Sequence, residues 1–152
     1  MNLASSDSSD PVVRALVGAD GVTVAPDTTL AELTTLRIGG RPRALLECAT
    51  AGAVVEAVRT LDAASRPVLV LGGGSNLVVA GGDLDLVVVA VRNRGIEYLA
   101  AGATGSDAPG TSADGAVIVR AGAGLTWDEL VADTVARGYG GLECLSGIPG
   151  SV

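Results

Sequence analysis

The sequence predicts an α+β protein whose first half has α/β character. Three observations carry that expectation. Apolar runs at 43–49 (RALLECA), 67–71 (PVLVL) and 84–91 (LDLVVVAV) are too short for helices and read as strands in a sheet covered on both faces. Between the first two lies a segment, 51–64, that sets Val54, Val55, Val58 and Leu61 on one helical face. A further strand and helix, 117–121 (VIVRA) and 126–137, follow a break of small polar residues.

In chain order, residues 1–26 are rich in Ser, Asp and Gly, show no sustained period, and are expected to be a disordered tail. Residues 27–99 then form a first subdomain, a strand–helix–strand unit with a further strand. Thr50 is placed to cap the helix, and Pro67 suits the start of a strand. Gly95–Leu99 reads as another short strand, and 100–116 (AAGATGSDAPGTSADGA) as a loop between subdomains. The second subdomain, 117–152, opens with the strand 117–121. Its helix is marked by a capping box of Thr126 and Glu129, acid at Asp128, Arg137 in the last turn and Gly138 as the stop. The last stretch, 140–152 (GGLECLSGIPGSV), has no closing element, so the second subdomain is expected to be incomplete. No period of 20–50 residues repeats, which excludes a solenoid.

Composition narrows the chemistry. The 152 residues allow one domain of ordinary size, and ten basic against seventeen acidic residues leave a net charge of −7. Such a chain has no general electrostatic footing on nucleic acid or an anionic membrane, so neither is an expected partner. Histidine is absent, which removes imidazole catalysis and His-containing metal sites. All ten basic residues are Arg, so a Schiff-base lysine and a P-loop lysine are excluded as well. Two distant cysteines form no disulfide framework and fit a reducing compartment. The N-terminus lacks the basic start and apolar stretch of a signal peptide, and no run reaches the roughly 18–20 apolar residues of a membrane span. A cytoplasmic protein is the expectation. The excess is in glycine, 22 residues, about twice the usual fraction of roughly 7%.

The sharpest glycine feature is Leu71–Val79 (LGGGSNLVV). Glycines reach positive φ and let another molecule approach the main chain. Successive exposed N–H groups in such a turn make a concave anion site, a nest, suited to phosphate or pyrophosphate. Ser75 and Asn76 would add donors without charge. A triple glycine can equally be a tight turn that only packs. It is not a dinucleotide fingerprint, because Leu77 stands at the third glycine position and an apolar run follows in place of a helix. A second glycine turn, Gly122-Ala-Gly124-Leu-Thr-Trp127, has the strand-to-helix context of that fingerprint and Glu143 downstream, but Trp127 occupies the third glycine site. The third, Gly147-Ile-Pro-Gly-Ser151, is by itself a turn. An anionic ligand held by three such turns would meet mostly backbone amides, with Arg as the only cation.

Other candidates for chemistry are weak. Cys48 lies in an apolar strand and reads as core, and Cys144 has no base to activate it. Arg92 and Arg94, and Arg37 and Arg41 in TTLRIGGRP, could contact a phosphate or ribose, or could be surface charges in ion pairs.

Four strings in order, TTLRIGG (34–40), VLVLGGGSNLVV (68–79), VRAGAGLTWDELV (119–131) and GLECLSGIPGSV (141–152), resemble the N-terminal FAD-binding region of the UDP-N-acetylenolpyruvoylglucosamine reductases. These are flavoproteins of the vanillyl-alcohol-oxidase or PCMH-type FAD-binding fold, and the resemblance runs from about Asp27 to the last residue. It implies FAD in a groove between two subdomains. Gly72, Gly73, Gly74, Ser75 and Asn76 would cradle the pyrophosphate. Ile148, Pro149, Gly150, Ser151 and Val152 would line the ribityl chain and flavin.

The family reaction reduces the enolpyruvyl double bond of a UDP-sugar in peptidoglycan precursor synthesis, with NADPH as co-substrate. The family's proton-donating Ser and its Glu and Arg near the substrate lie downstream of the GIPGSV segment, so the resemblance carries no catalytic residue onto this chain and names no metal site. The expectation is the FAD-binding part of such a reductase, inactive by itself and binding FAD weakly or not at all. An FAD-dependent oxidase of the same fold and a non-catalytic nucleotide-binding module are the alternatives.

Overall fold

The apolar run at 84–91 is the centre of a sheet, and its residues alternate between two cores. In the computed structural model, which describes residues 10–25, 27–100 and 116–152, the chain divides into two units, one through Asn93 and one from Arg94.

The first unit is built from α1 (Pro11–Leu16), β1 (Val22–Ala25), β2 (Arg41–Cys48), α2 (Ala51–Ala63), β3 (Val68–Leu71) and β4 (Asp83–Val91). Its sheet has the order β1-β2-β4-β3; β2 and β3 both run parallel to β4, while β1 is antiparallel to β2. The strand–helix–strand unit is therefore present, with β4 slotted between its two strands.

On one face Leu46, Cys48, Val87 and Val89 pack beneath Ala53, Ala57 and Leu61 of α2 and Val13 and Leu16 of α1. On the other, Leu45, Leu71, Val88 and Ala90 pack against Leu30, Leu33, Leu77 and Val79. Among the described residues, that second cover is loop and a 3-10 turn (Leu30–Glu32), with no α-helix. Fully apolar strands follow directly from burial on both faces.

Several local signals hold. Thr50 caps α2, its hydroxyl accepting from the Ala53 N–H at 3.0 Å. Strand boundaries lie within two residues of those expected. β2 starts earlier, at Arg41, because Pro42 is tolerated at an irregularity: the register with β4 shifts between Pro42 and Ala44, and β1 does not extend that far.

The expected disordered tail at 1–26 needs correction over its described part. Residues 10–25 form α1 and β1, and β1 pairs with β2 from Val22 opposite Cys48 to Ala25 opposite Leu45; residues 1–9 and Pro26 lie outside the described residues. The reason is a capped helix too short to show a sustained period. Asp10 accepts from the Val12 N–H at 2.9 Å, Pro11 occupies the first turn, and Val13 and Leu16 are buried. The Asp10 carboxylate is itself buried and pairs with Arg66, just past α2, at 3.2 Å.

The second unit holds β5 (Ile96–Ala100), β6 (Val117–Ala121) and α3 (Trp127–Ala136). β5 and β6 form an antiparallel pair with Ile96 opposite Ala121 and Ala100 opposite Val117. The segment 95–99, expected in the first subdomain, thus pairs within the second unit, because its hydrogen-bonding partner is β6. The expected loop at 100–116 falls almost wholly outside the described residues. The capping box of α3 is as expected: Glu129 Oε2 accepts from the Thr126 N–H at 3.1 Å and hydroxyl at 2.6 Å, and Gly138 ends the helix at φ 79°. Among the described residues, no helix is long and apolar enough to cross a membrane.

Removing the Asp10 side chain deletes a helix cap and leaves Arg66 without its buried partner. Asp10→Ala is expected to lower the stability of the first unit by about 2–3 kcal/mol, read from urea unfolding followed by circular dichroism.

Candidate functional site

The glycine loop occupies an unusual place in the first unit. β3 and β4 are adjacent and parallel, yet residues 72–82 connect them with no helix. The chain must leave the C-terminal end of β3, double back along the sheet and re-enter β4 at its start. Leu77 and Val79 fill the second core on the way. The turn that begins this return is Gly72–Asn76, so the glycines sit at the carboxyl end of a parallel strand, where open α/β sheets place their ligands.

Gly74 makes the turn possible. Its φ is +66°, and a Cβ there would sit 2.0 Å from the Leu33 carbonyl oxygen. A side chain is excluded on two grounds, conformation and space. The Gly74 carbonyl accepts from the Thr35 N–H at 3.2 Å, so the 34–40 segment is tied to the glycine loop. Further along, the Gly40 N–H donates to Ala80 O at 2.8 Å, and a Cβ at Gly40 would meet the Gly82 carbonyl at 1.9 Å. Two glycine-bearing strings, forty residues apart in the chain, are one backbone-packed layer. The sequence held a signal of this pairing only in its glycines, which mark close approach without naming the partner.

Among the described residues, the main-chain N–H groups of Ser75 and Asn76 donate to no other backbone group. Gly72, Gly74 and Ser75 are half-buried, while Gly73 and Asn76 are exposed. A left-handed glycine followed by two N–H groups without a backbone acceptor is compatible with an anion nest, and neutral Gly, Ser and Asn residues are chemically suited to a pyrophosphate.

The 34–40 segment adds one strained residue. Arg37 has φ +53°, a conformation that costs a non-glycine residue about 1–2 kcal/mol. The turn is held by the Thr34 hydroxyl, which donates to Ile38 O at 3.0 Å, and by the Arg37 N–H, which donates to Thr34 O at 3.1 Å. Leu36 and Ile38, on either side, are exposed.

In the second unit, Ile148–Val152 is laid along the start of α3. Ser151 bridges Thr126, the Trp127 N–H donates to Gly150 O at 3.0 Å, and the Val152 N–H donates to Leu125 O at 3.0 Å. The Trp127 indole N–H donates to Leu145 O at 2.7 Å, and Asp128 Oδ1 accepts from the Gly147 N–H at 2.7 Å. Gly147 and Gly150 both take positive φ. Ile148, Pro149 and Val152 are exposed; Gly150 and Ser151 are half-buried. The sequence marks Trp127 and Asp128 only as helix-start residues, and their hold on this segment has no local signal.

The remaining candidates have ordinary structural roles. Arg41 pairs with Asp27 at 2.8 Å, Arg92 with Glu47 at 3.2 Å and Arg94 with Glu129 at 2.9 Å. Cys48 is buried, and burial pushes its thiol pKa up, away from reactivity. Glu143 accepts from nearby backbone N–H groups, its own and that of Gly141, which hold its carboxyl below the usual range. Among the described residues, no cluster of three or more acidic, Cys or His residues could hold a metal.

One further cluster in the second unit is structural. The Tyr98 hydroxyl donates to Asp133 Oδ2 at 2.5 Å, Arg137 donates to the same oxygen at 2.8 Å, and its guanidinium lies over the Tyr98 ring at 4.7 Å. Burial and the bond to Asp133 push Tyr98 up to about 12. The bonds from Tyr98 and Arg137 hold Asp133 low, and the Thr126 cap does the same for Glu129.

A model of the FAD binding domain family matches residues 42–152. Among curated relatives, a UDP-N-acetylenolpyruvoylglucosamine reductase of Nocardia farcinica is 52% identical over 139 residues, which are 91% of this chain and 32% of that protein. UDP-N-acetylenolpyruvoylglucosamine reductase 2 of Corynebacterium glutamicum is 45% identical over 140 residues, 92% of this chain and 34% of the relative. The crystal structure of UDP-N-acetylenolpyruvylglucosamine reductase from Thermus caldophilus is 26% identical, with a TM-score of 0.52 over 86% of this chain and 39% of that one. This chain spans about a third of the length of the curated relatives it matches. It belongs to the FAD binding domain family, and its mixed helix and sheet structure is the PCMH-type FAD-binding fold.

Gly74→Ala is expected to destabilise the first unit by about 3 kcal/mol in urea unfolding, whereas Gly81→Ala, with open space around it, changes stability by no more than about 0.5 kcal/mol. For the second unit, lowered acids contribute stability above their unfolded pKa near 4 and lose it as pH falls further. The raised phenol contributes below pH of about 10 and loses its share as pH rises toward 12. Fluorescence of Trp127, the single tryptophan, should therefore report a stability plateau that falls at both ends.

Proposed function

We propose that this member of the FAD binding domain family holds FAD as the cofactor-binding part of an NADPH-dependent reductase acting on UDP-N-acetylglucosamine enolpyruvate. Gly72, Gly73, Gly74, Ser75 and Asn76 would take the pyrophosphate, through main-chain N–H groups and two neutral side chains. Ile148, Pro149, Gly150, Ser151 and Val152 would contact the ribityl chain and flavin. Held there, FAD would supply the chemistry of hydride transfer, and the residues named would bind and orient it.

The observation that carries this reading is Gly74, left-handed and pressed on the Leu33 carbonyl at the carboxyl end of a parallel strand. A backbone so constrained presents its N–H groups in a preset direction, so an anion that binds there orders little that is not already ordered. The acidic, Lys-free composition supports the same division of labour, because a diphosphate is then met by dipoles more than by a cluster of cations. The names of the relatives support the reductase over an oxidase or a non-catalytic module. On that support the proposal extends to the reduction itself, the UDP-sugar substrate, NADPH as co-substrate and a cytoplasmic location.

Titration of the 15N-labelled chain with FAD tests the site directly. Saturable amide shifts are expected at 72–76 and at 147–152. An absence of shifts with FAD in the millimolar range would overturn the assignment.

A further inference from the structure

Of the ten arginines, seven are engaged in ion pairs with carboxylates. Among the described residues, Arg37 and Arg59 have no carboxylate partner, and both are exposed. Arg59 lies on the outer face of α2. Arg37 is placed otherwise: two residues from Thr35, whose N–H is bonded to the Gly74 carbonyl inside the glycine loop. Two residues of chain span at most about 7 Å, within which a long Arg side chain has reach of the loop. Glu32, an acid on the neighbouring 3-10 turn, is occupied by the Thr29 N–H and hydroxyl.

The backbone at Arg37 adds a second, independent point. Its φ of +53° is one that glycine adopts at little cost, so the strain at this position is borne by a residue with a guanidinium. The turn is fixed from within by the Thr34 hydroxyl, and Thr34 is buried. The result is a cation on a rigid tip, bonded into the layer that forms the nest, in a chain whose net charge of −7 otherwise repels a diphosphate.

We propose that Arg37 is an anion-binding residue that supplies the positive charge of the glycine-loop site and pairs with the diphosphate of the bound nucleotide. The inference rests on the nucleotide-binding reading above and adds to it a side chain with a defined task. A guanidinium suits a diphosphate because its planar fork gives two parallel charge-assisted hydrogen bonds. The main-chain N–H groups of the nest then supply direction, and Arg37 supplies charge.

Arg37→Gly is the informative variant, since glycine accepts the same φ and removes only the side chain. The probes are FAD, ADP and adenosine, titrated into the 152-residue chain and followed by amide shifts. The expected result is thermal unfolding no lower than that of the wild type, FAD and ADP affinity weaker by about tenfold or more, and adenosine affinity unaltered. Arg37→Lys should recover part of the loss, as a point charge without the fork, and Arg59→Ala should leave all three affinities in place. Equal affinity of wild type and Arg37→Gly for ADP, with shifts still centred on 72–76, would overturn the role of Arg37 and leave the nucleotide site standing. No shifts at 72–76 in the wild-type chain with FAD or ADP would overturn both.

Discussion

Two parallel neighbours, β3 and β4, are joined without a helix, and most of the first unit is a consequence of that constraint. A parallel connection must return the full length of the strand, and a helix is the usual way to do so because it satisfies its own backbone. Here an extended return segment crosses the sheet face, and its polar groups need partners from elsewhere. Residues 30–40 and the start of β2 provide them: Gly40 N–H to Ala80 O, Arg41 N–H to Gly82 O and Thr35 N–H to Gly74 O. Two loops lying side by side this closely leave no space for a Cβ at Gly40 or Gly74. Glycine is therefore demanded by packing first. The main-chain N–H groups of Ser75 and Asn76, which have no backbone acceptor, are left over by such a turn.

The second unit meets a related problem by different means. A two-stranded pair and one helix bury little, so specific polar anchors matter more than core volume. The first turn of α3 does three jobs at once. Thr126 and Glu129 cap the helix, Asp128 holds the Gly147 N–H, and Trp127 holds Leu145 and Gly150 through its side chain and main chain. A segment with two positive-φ glycines thereby gains a single path. Its exposed residues, Ile148, Pro149 and Val152, are presented on a backbone that is already bonded down.

Electrostatics in this chain are a matter of economy. With no lysine and an excess of acids, most arginines are neutralised locally, as Arg43 is by Asp85 and Arg120 by Glu97. Such surface pairs add little stability each. Their effect is to leave few cations uncommitted, which gives weight to where an uncommitted one stands. Asp10 and Arg66 differ from the rest because the carboxylate is buried, so that pair ties the N-terminal helix to the end of α2.

By itself the sequence determined what local physics controls: the apolar strands, the cap at Thr50, the capping box at Thr126 and Glu129, and a glycine turn after β3. Each is encoded within a few residues, by side-chain period or by a hydroxyl or carboxylate near an unpaired N–H. It was silent where partners are far apart in the chain. That Val22–Ala25 would join β2, that 95–99 would pair with β6, and that β4 would insert between β2 and β3 depend on long-range hydrogen bonds with no local signature. The short helix after Asp10 is written only in its cap and its Pro11, because six residues are too few to show a helical period. Arg37 and Arg41 lie four residues apart in one string and read alike. Only the folded chain separated them, pairing Arg41 with Asp27 and leaving Arg37 in a strained turn two residues from Thr35, whose N–H bonds Gly74, because charge pairing is decided by what the tertiary structure brings near.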